Sequence, residues 1–324
     1  MSISIGVTGT GSLIGQGIIK CILESDEREQ FNIVGFDYYD DTVGSFWCDS
    51  HFILPDLLAP NITDEIWIDS LTNRILEKRV KILFVGVDFE LPILSRVKEI
   101  IEKNTGCVVV VSDPKVIDIG NDKYKTFCFL RDNGFTYPHT WLPDSFVYEE
   151  ANYPLIVKPR VGARSVGVYV VNNEEDLRDK LEKVQSPIIQ EYLSDDGAEY
   201  TCGVISFNGE VAHSIALKRT LKSGHTHVSE HIKNPDDSII TYVESIAKVL
   251  RPYGSCNFQL RIDEFGLPKL FEINPRNSGT TFMRSLFGYN EILYCIHFLV
   301  NGERIDFDLE YGKALRFYQE QRIK

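Results

Sequence analysis

The chain has 324 residues, a formal charge of −13 from 34 Lys and Arg against 47 Asp and Glu, and 43% hydrophobic residues. That length implies about two domains at roughly 150 residues each, enough to bury full cores. The acidity excludes a protein that grips nucleic acid or anionic membrane through a basic surface, so any anionic ligand needs a local cluster of cations.

The first elements alternate. Residues 3–8 read as an apolar strand, Gly9-Thr10-Gly11 as a tight turn, and 13–24 as a helix; strands follow at 32–37, 80–87 and 107–112, with helical periodicity over 64–79 and 91–103. Strands alternating with helices predict a doubly wound parallel sheet, a Rossmann-like domain over residues 1–112. From Asp122 the pattern changes. Residues 122–133 predict an amphipathic helix stopped by Gly134, followed by strand 155–158, a small-residue loop at 162–167, strand 167–171, helix 174–184 and strand 187–191. Residues 199–207 and 210–218 flank Asn208-Gly209, which signals a type I′ hairpin. A helix at 236–250 precedes strands 255–263 and 268–273, and the tail at 313–324 offers a last strand.

The turn from Thr8 to Gly15, with Asp37 some way beyond, has the spacing of a dinucleotide fingerprint. That spacing resembles extended short-chain dehydrogenases, which also need a Tyr-x-x-x-Lys pair, and none of the 15 tyrosines has Lys four residues on. A tight strand-to-helix turn without a cofactor is the favoured reading, with an NAD(P)-dependent oxidoreductase as the rival. Seven scattered cysteines without a C-x-x-C pair point to reduced thiols and a cytoplasmic setting. The N-terminus lacks the charged opening of a signal peptide, and the longest aliphatic run, near Val108 to Val111, is far short of the ~18 residues a membrane span needs. His225 and His227 could pair on a metal, but no Cys or carboxylate nearby completes a tetrahedral set, so a loop or substrate role is expected.

Three segments carry chemistry. In YPLIVKPRVGARSVGVYVV a strand delivers Lys158 into a loop with Gly162, Arg164 and Gly167, where backbone N–H groups and cations can cradle phosphate. IIQEYLSDDGAE offers an extended backbone to an adenine edge and Glu199 to ribose hydroxyls. In NFQLRIDEFGLPKLFEINPRNSG, Glu272 and Asn274 lie two apart on one strand face with Gln259 opposite, an oxygen set suited to Mg²⁺ between phosphates. Arg276 follows Pro275, where a guanidinium would meet a transferred phosphate or a substrate carboxylate.

Together with Asp122-Lys123, these segments resemble the ATP-grasp superfamily over roughly residues 113–300, nearest to its carbamoyl-phosphate synthase large-chain type and stand-alone carboxylate–amine ligases. The resemblance implies an α/β chain: a Rossmann-like pre-ATP-grasp domain over 1–112, then an ATP-grasp domain over 113–324 with a small lid at about 153–192. It implies that Lys123, Lys158 and Arg164 contact nucleotide phosphates, and that Gln190, Glu191, Tyr192 and Leu193 bind the nucleotide, with Glu191 and Leu193 flanking adenine. Glu199 would hold the ribose. Gln259, Glu272 and Asn274 would hold Mg²⁺ (or Mn²⁺), and Lys158, Asn274 and Arg276 would act at the transferred phosphoryl group. Many relatives have an acid where Gln259 stands, while some carbamoyl-phosphate-synthase-type sites have Gln; this leaves one fewer negative charge here and implies weaker binding of a second ion. Lys218 and Arg219 could reach phosphate or the acceptor acid.

The expected reaction is ATP-dependent activation of a small-molecule carboxylate as an acyl phosphate, then capture by an amine; a single-module kinase making a free acyl or carbamoyl phosphate is the alternative. No general base stands out. The acceptor is sought near Gly9–Ser12, His225–His227 and Ser278–Arg284. No nucleic-acid or membrane partner is expected, and a homodimer stays open.

Overall fold

A computed structural model describes residues 2–162, 165–194, 198–233 and 238–323. The chain begins with β1 (Ile3–Thr8), α1 (Leu13–Leu23), β2 (Phe31–Asp37), β3 (Ser50–Ile53), α2 (Asp64–Lys78), β4 (Ile82–Phe84), α3 (Leu91–Thr105) and β5 (Val108–Val110). These strands form one parallel sheet in the order β3-β2-β1-β4-β5. Helices on both faces explain why β1, β2 and β4 are largely buried. Two strands are shorter than the apolar runs suggest, because Val85 and Val111 are buried after the ladder has ended. The edge strand β3, with its polar Ser50 and His51, carries no apolar signal in the sequence and is held by pairing with β2.

The glycine turn closes on itself. Gly9 has a φ of 55°, and a Cβ at Gly15 would stand 2.2 Å from the Gly9 carbonyl oxygen, so turn and helix touch through bare backbone. Ser12 caps α1 by accepting from the Gly15 N–H. The Asp37 carboxylate accepts from Thr10 Oγ1 at 2.8 Å and from the Gly11 N–H at 2.6 Å.

Next come α4 (Pro114–Asn121), α5 (Lys123–Asp132), β6 (Thr140–Trp141), β7 (Leu155–Pro159), β8 (Tyr169–Val171), α6 (Glu174–Lys183) and β9 (Pro187–Glu191). They give a four-stranded antiparallel sheet, β6-β9-β7-β8, backed by α6 through Leu177 and Leu181. The last part holds β10 (Glu199–Phe207), β11 (Glu210–Lys222), β12 (His225–His231), α7 (Ser238–Leu250), β13 (Gly254–Ile262), β14 (Pro268–Asn274), α8 (Thr281–Ser285), α9 (Glu291–Asn301) and β15 (Gly312–Leu315). Its six-stranded antiparallel sheet runs β14-β13-β10-β11-β12-β15. Asn208 and Gly209 both have positive φ, 55° and 85°, the geometry of the type I′ turn.

Two readings change here. The HTHV stretch is a strand rather than a loop, because β11 and β15 supply hydrogen bonds on both sides. The tail contributes only Gly312–Leu315 to that sheet, and no regular structure continues through the described residues beyond.

The parallel sheet and the six-stranded sheet share a core. Ile18, Ile19 and Ile22 of α1 belong to one buried cluster with Ile205, Leu217, Tyr289 and Ile292. Burying side chains of this size is worth about 1.5–3 kcal/mol each, so α1 and the glycine turn before it are fixed against the segment between β14 and α9. All seven cysteines are free, five of them buried. Among the described residues no helix is long and apolar enough to cross a membrane.

Candidate active site

A cavity of about 260 Å³ lies between the four-stranded and six-stranded sheets. Nine of the residues singled out from the sequence line it: Lys123, Lys158, Gln190, Glu191, Tyr192, Leu193, Glu199, Gln259 and Glu272. Arg164 lies outside the described residues.

Lys158 comes from β7, whose ladder with β9 places it on the cavity side. Its ammonium donates to Gln190 Oε1 at 2.7 Å, and Gln190 donates to Thr140 Oγ1 at 2.8 Å. The Phe271 ring lies 5.6 Å from the ammonium. Lys158 is 5% exposed. Burial first, and then the Lys123 charge, push its pKa down to about 7, against the pull of Glu272. Lys123 opens α5, whose N-cap Asp122 accepts from the Tyr124 and Lys125 N–H groups. The Lys123 ammonium reaches the Gly162 carbonyl at 2.9 Å, spanning to the small-residue loop. Arg160 of that loop is taken up by Asp122, 2.5 Å away, and is half committed before any phosphate arrives.

Apolar side chains line the cavity as well. Ile156, Val170, Leu193 and Phe271 contribute to its wall. Ile156 and Phe271 went unnoticed in the sequence, where they read as ordinary strand residues. The Glu191 side chain points elsewhere: it pairs with Lys269 at 2.6 Å and accepts from the His139 N–H at 2.9 Å. A base could meet Glu191 only through its backbone.

The carboxylate of Glu199 is clamped. Arg219 donates to Oε1 at 2.6 and 2.8 Å, and Arg261 donates to Oε2 at 2.8 and 3.2 Å. Four N–H donors fill the roughly four acceptor positions of one carboxylate, so a ribose hydroxyl would have to displace one of them. Lys218 and Arg219 part company because successive strand residues face opposite ways: Lys218 is exposed, and the Arg219 side chain is 9% exposed inside the cavity.

Gln259 of β13 pairs with Glu272 of β14. The ladder then slips, Leu260 opposing Leu270, so Phe271 is an extra residue in a β-bulge. That bulge lets the consecutive residues Phe271 and Glu272 both line the cavity. No periodicity in the sequence announces it. Gln259 Oε1 accepts from Arg219 Nη2 at 2.6 Å, and Asn274 Oδ1 accepts from Arg276 Nη2 at 2.9 Å. Of the three carboxylates lining the cavity, Glu191 and Glu199 are ion-paired, and Glu272 has no hydrogen bond or ion pair among the described residues. Asn274 and Arg276 follow Glu272 on the way out toward the parallel sheet. There the Arg276 guanidinium meets Asp88, from the segment after β4, at 2.6 Å.

The segments chosen as acceptor candidates also converge. A Cβ on Gly279 would lie 2.9 Å from Leu13 Cδ2, just past the glycine turn, and Ser12 Oγ donates to the Gly86 carbonyl at 2.6 Å. Arg316, which the sequence reading passed over, ties β12 to the same segment: its guanidinium donates to the Thr226 carbonyl at 2.8 Å and to the Gly279 carbonyl. Behind this lies a fully buried pair, Arg284 and Glu291, 3.0 Å apart, with Asn277 and Thr281 donating to the same carboxylate. Nearby, Glu90 is completely buried, takes hydrogen bonds from Thr8 and Tyr38, and has its pKa raised to about 7 by that burial. Among the described residues, no group of three His, Cys, Asp or Glu is placed to hold a metal.

Residues 183–316 match the family described as "ATP-grasp in the biosynthetic pathway with Ter operon". The chain is similar to the D-alanine–D-alanine ligase of Petrotoga mobilis, 29% identical over 154 residues, 46% of this chain and 48% of that protein. It is also similar to the carbamoyl-phosphate synthase of Methanobrevibacter smithii, 23% identical over 216 residues, 61% and 57% of the two chains. The chain thus spans about half the length of the curated relatives it matches. Among solved structures, N5-carboxyaminoimidazole synthetase from Staphylococcus aureus complexed with ADP superposes with a TM-score of 0.73 at 16% identity, covering 96% of this chain and 81% of that one. This chain therefore has the ATP-grasp fold, beside a parallel sheet, and its residues 183–316 match an ATP-grasp family.

Proposed function

We propose that this chain is an ATP- and Mg²⁺-dependent ligase that activates a small-molecule carboxylate as its acyl phosphate and joins it to an amine, releasing ADP and phosphate. One observation carries the reading: a single cavity is lined both by apolar side chains, Ile156, Leu193 and Phe271, and by Lys123 and the buried Lys158 beside Glu272, which has no ion pair among the described residues. That mixed lining suits a nucleotide, which has an apolar base and anionic phosphates. The similarity to D-alanine–D-alanine ligases supports amide formation between a carboxylate and an amine.

In this reading the backbone of Glu191 to Leu193 meets the adenine, Glu199 stands by the ribose, and Lys123 and Lys158 donate to phosphate oxygens. Lys158 can do so because a phosphate returns the favourable charge that burial takes from its ammonium. Arg276, between Asn274 and Asp88, faces the junction where the acceptor segments meet and steadies the transferred phosphoryl group and the acyl oxygens. Glu272 fits a dication, being acidic and uncommitted, with Asn274 and Gln259 beside it; the ion, Mg²⁺ or Mn²⁺, would neutralise phosphate charge when bound. Gly162, Ser165, Val166 and Val168, which line the cavity, would keep out water that would hydrolyse the acyl phosphate. The rival reading through the glycine turn lacks the Tyr-x-x-x-Lys pair that its chemistry needs.

The test is a screen of amino acids and sugar acids, each with amine partners, for ATP-dependent ADP release. A pair that drives ADP release, abolished in Glu272→Ala, is expected. ADP release at background for every pair, together with tight NADH binding, would overturn the proposal.

A further inference from the structure

We propose that this site holds its nucleotide with one divalent cation, on Glu272, and that the Arg219 guanidinium supplies from the chain the charge a second ion would bring. The inference rests on the ATP reading given above. It starts from four neighbours in the β14-β13-β10-β11 part of the sheet. Gln259 faces Glu272 across the β13–β14 ladder, and Arg219 faces Glu199 across the β10–β11 ladder. The Arg219 side chain, 9% exposed, bridges the two pairs: its Nη2 lies 2.6 Å from Gln259 Oε1 and 2.6 Å from Glu199 Oε1.

Gln259 adds no negative charge, and its amide oxygen already accepts from a cation. A dication brought to that oxygen would sit beside a fixed guanidinium with little solvent between them, and like charges at such range repel strongly. Arg219 is itself held in place, because its other N–H groups are satisfied by Glu199 and by Thr226 Oγ1 at 3.3 Å. On the far side Asn274 Oδ1 accepts from Arg276. Glu272 is thus an uncommitted carboxylate flanked by two amides, each bound to a guanidinium. One dication fits there without competing with a fixed cation. The Arg219 guanidinium instead brings a fixed positive charge to the cavity wall, which phosphate oxygens can meet in place of a second ion.

The test counts metal rather than turnover. The full-length protein is saturated with Mn²⁺ and the non-hydrolysable analogue adenylyl imidodiphosphate and passed through a rapid desalting column. Retained Mn²⁺ and analogue are then measured, Mn²⁺ by its paramagnetic resonance after acid release. One Mn²⁺ per retained analogue is expected for the wild type. The double variant Gln259→Glu with Arg219→Gln, checked for folding by circular dichroism, is expected to retain two. Two Mn²⁺ per analogue in the wild type would overturn the inference while leaving the nucleotide reading intact. So would a wild-type count of one that stays at one in a folded double variant. No retained analogue at any Mn²⁺ concentration would instead overturn the nucleotide reading on which the inference rests.

Discussion

Replacing Lys158 by methionine removes one charge while keeping most of the side-chain volume. In the folded chain burial holds the Lys158 pKa at about 7 instead of 10.5, while an unfolded chain restores the ordinary value. Below pH 7 both states carry the proton, and the folded state bears the whole cost of a buried ammonium, about 5 kcal/mol at 1.36 kcal/mol per pKa unit. As pH rises from about 7 toward 10.5 the unfolded chain still binds the proton and the folded chain does not, so stability rises with pH across that window. Between pH 7 and 9 the wild type should gain about 2 kcal/mol relative to Lys158→Met, several degrees in Tm for a chain of this size. Unfolding of both proteins at the two pH values measures the difference. The variant should also bind ATP about 10- to 100-fold more weakly, the worth of a lost charged hydrogen bond. Parallel pH–stability curves would refute the buried ammonium, and unchanged ATP affinity would refute its role at phosphate.

Further outcomes follow from particular contacts. Glu291→Gln leaves the buried Arg284 guanidinium without its counter-charge and should cost about 3–5 kcal/mol by chemical denaturation; Arg284→Met with Glu291→Leu should recover much of that loss. Gly15→Ala sets a Cβ against the Gly9 carbonyl and should destabilise by about 1–3 kcal/mol, read as a lower Tm. The Asp88 side chain is 51% exposed, so its ion pair with Arg276 adds no more than about 1 kcal/mol. Asp88→Asn should therefore keep Tm and lower ADP release less than tenfold, whereas Arg276→Ala should lower it at least about 100-fold.

The two kinds of sheet were legible because their patterns are local. Long apolar runs alternating with helical periodicity announced β1, β2 and β4, and Asn208-Gly209 announced the hairpin. Elements held by their partners were not legible. β3 and β12 have polar, uneven sequences and exist because neighbouring strands supply their hydrogen bonds. At the site, residue type and spacing picked out nine residues that line one cavity. They could not show that Glu191 turns its carboxylate to Lys269, or that a bulge brings Phe271 beside Glu272.

By itself, then, the sequence determined which strands carry the charged and amide side chains that line the cavity, since residue type and order are local. Only the tertiary structure decided which group each side chain holds. Arg219 and Gln259 are 40 residues apart and meet solely because β11, β10 and β13 lie side by side. That neighbourhood commits Glu199 and Gln259 to arginines and leaves Glu272 unpaired among the described residues. A half-buried carboxylate without an ion pair, lining a cavity beside Lys158, is suited to a cation, and in the proposed reading this is how an acidic chain gathers the charge an anionic nucleotide needs.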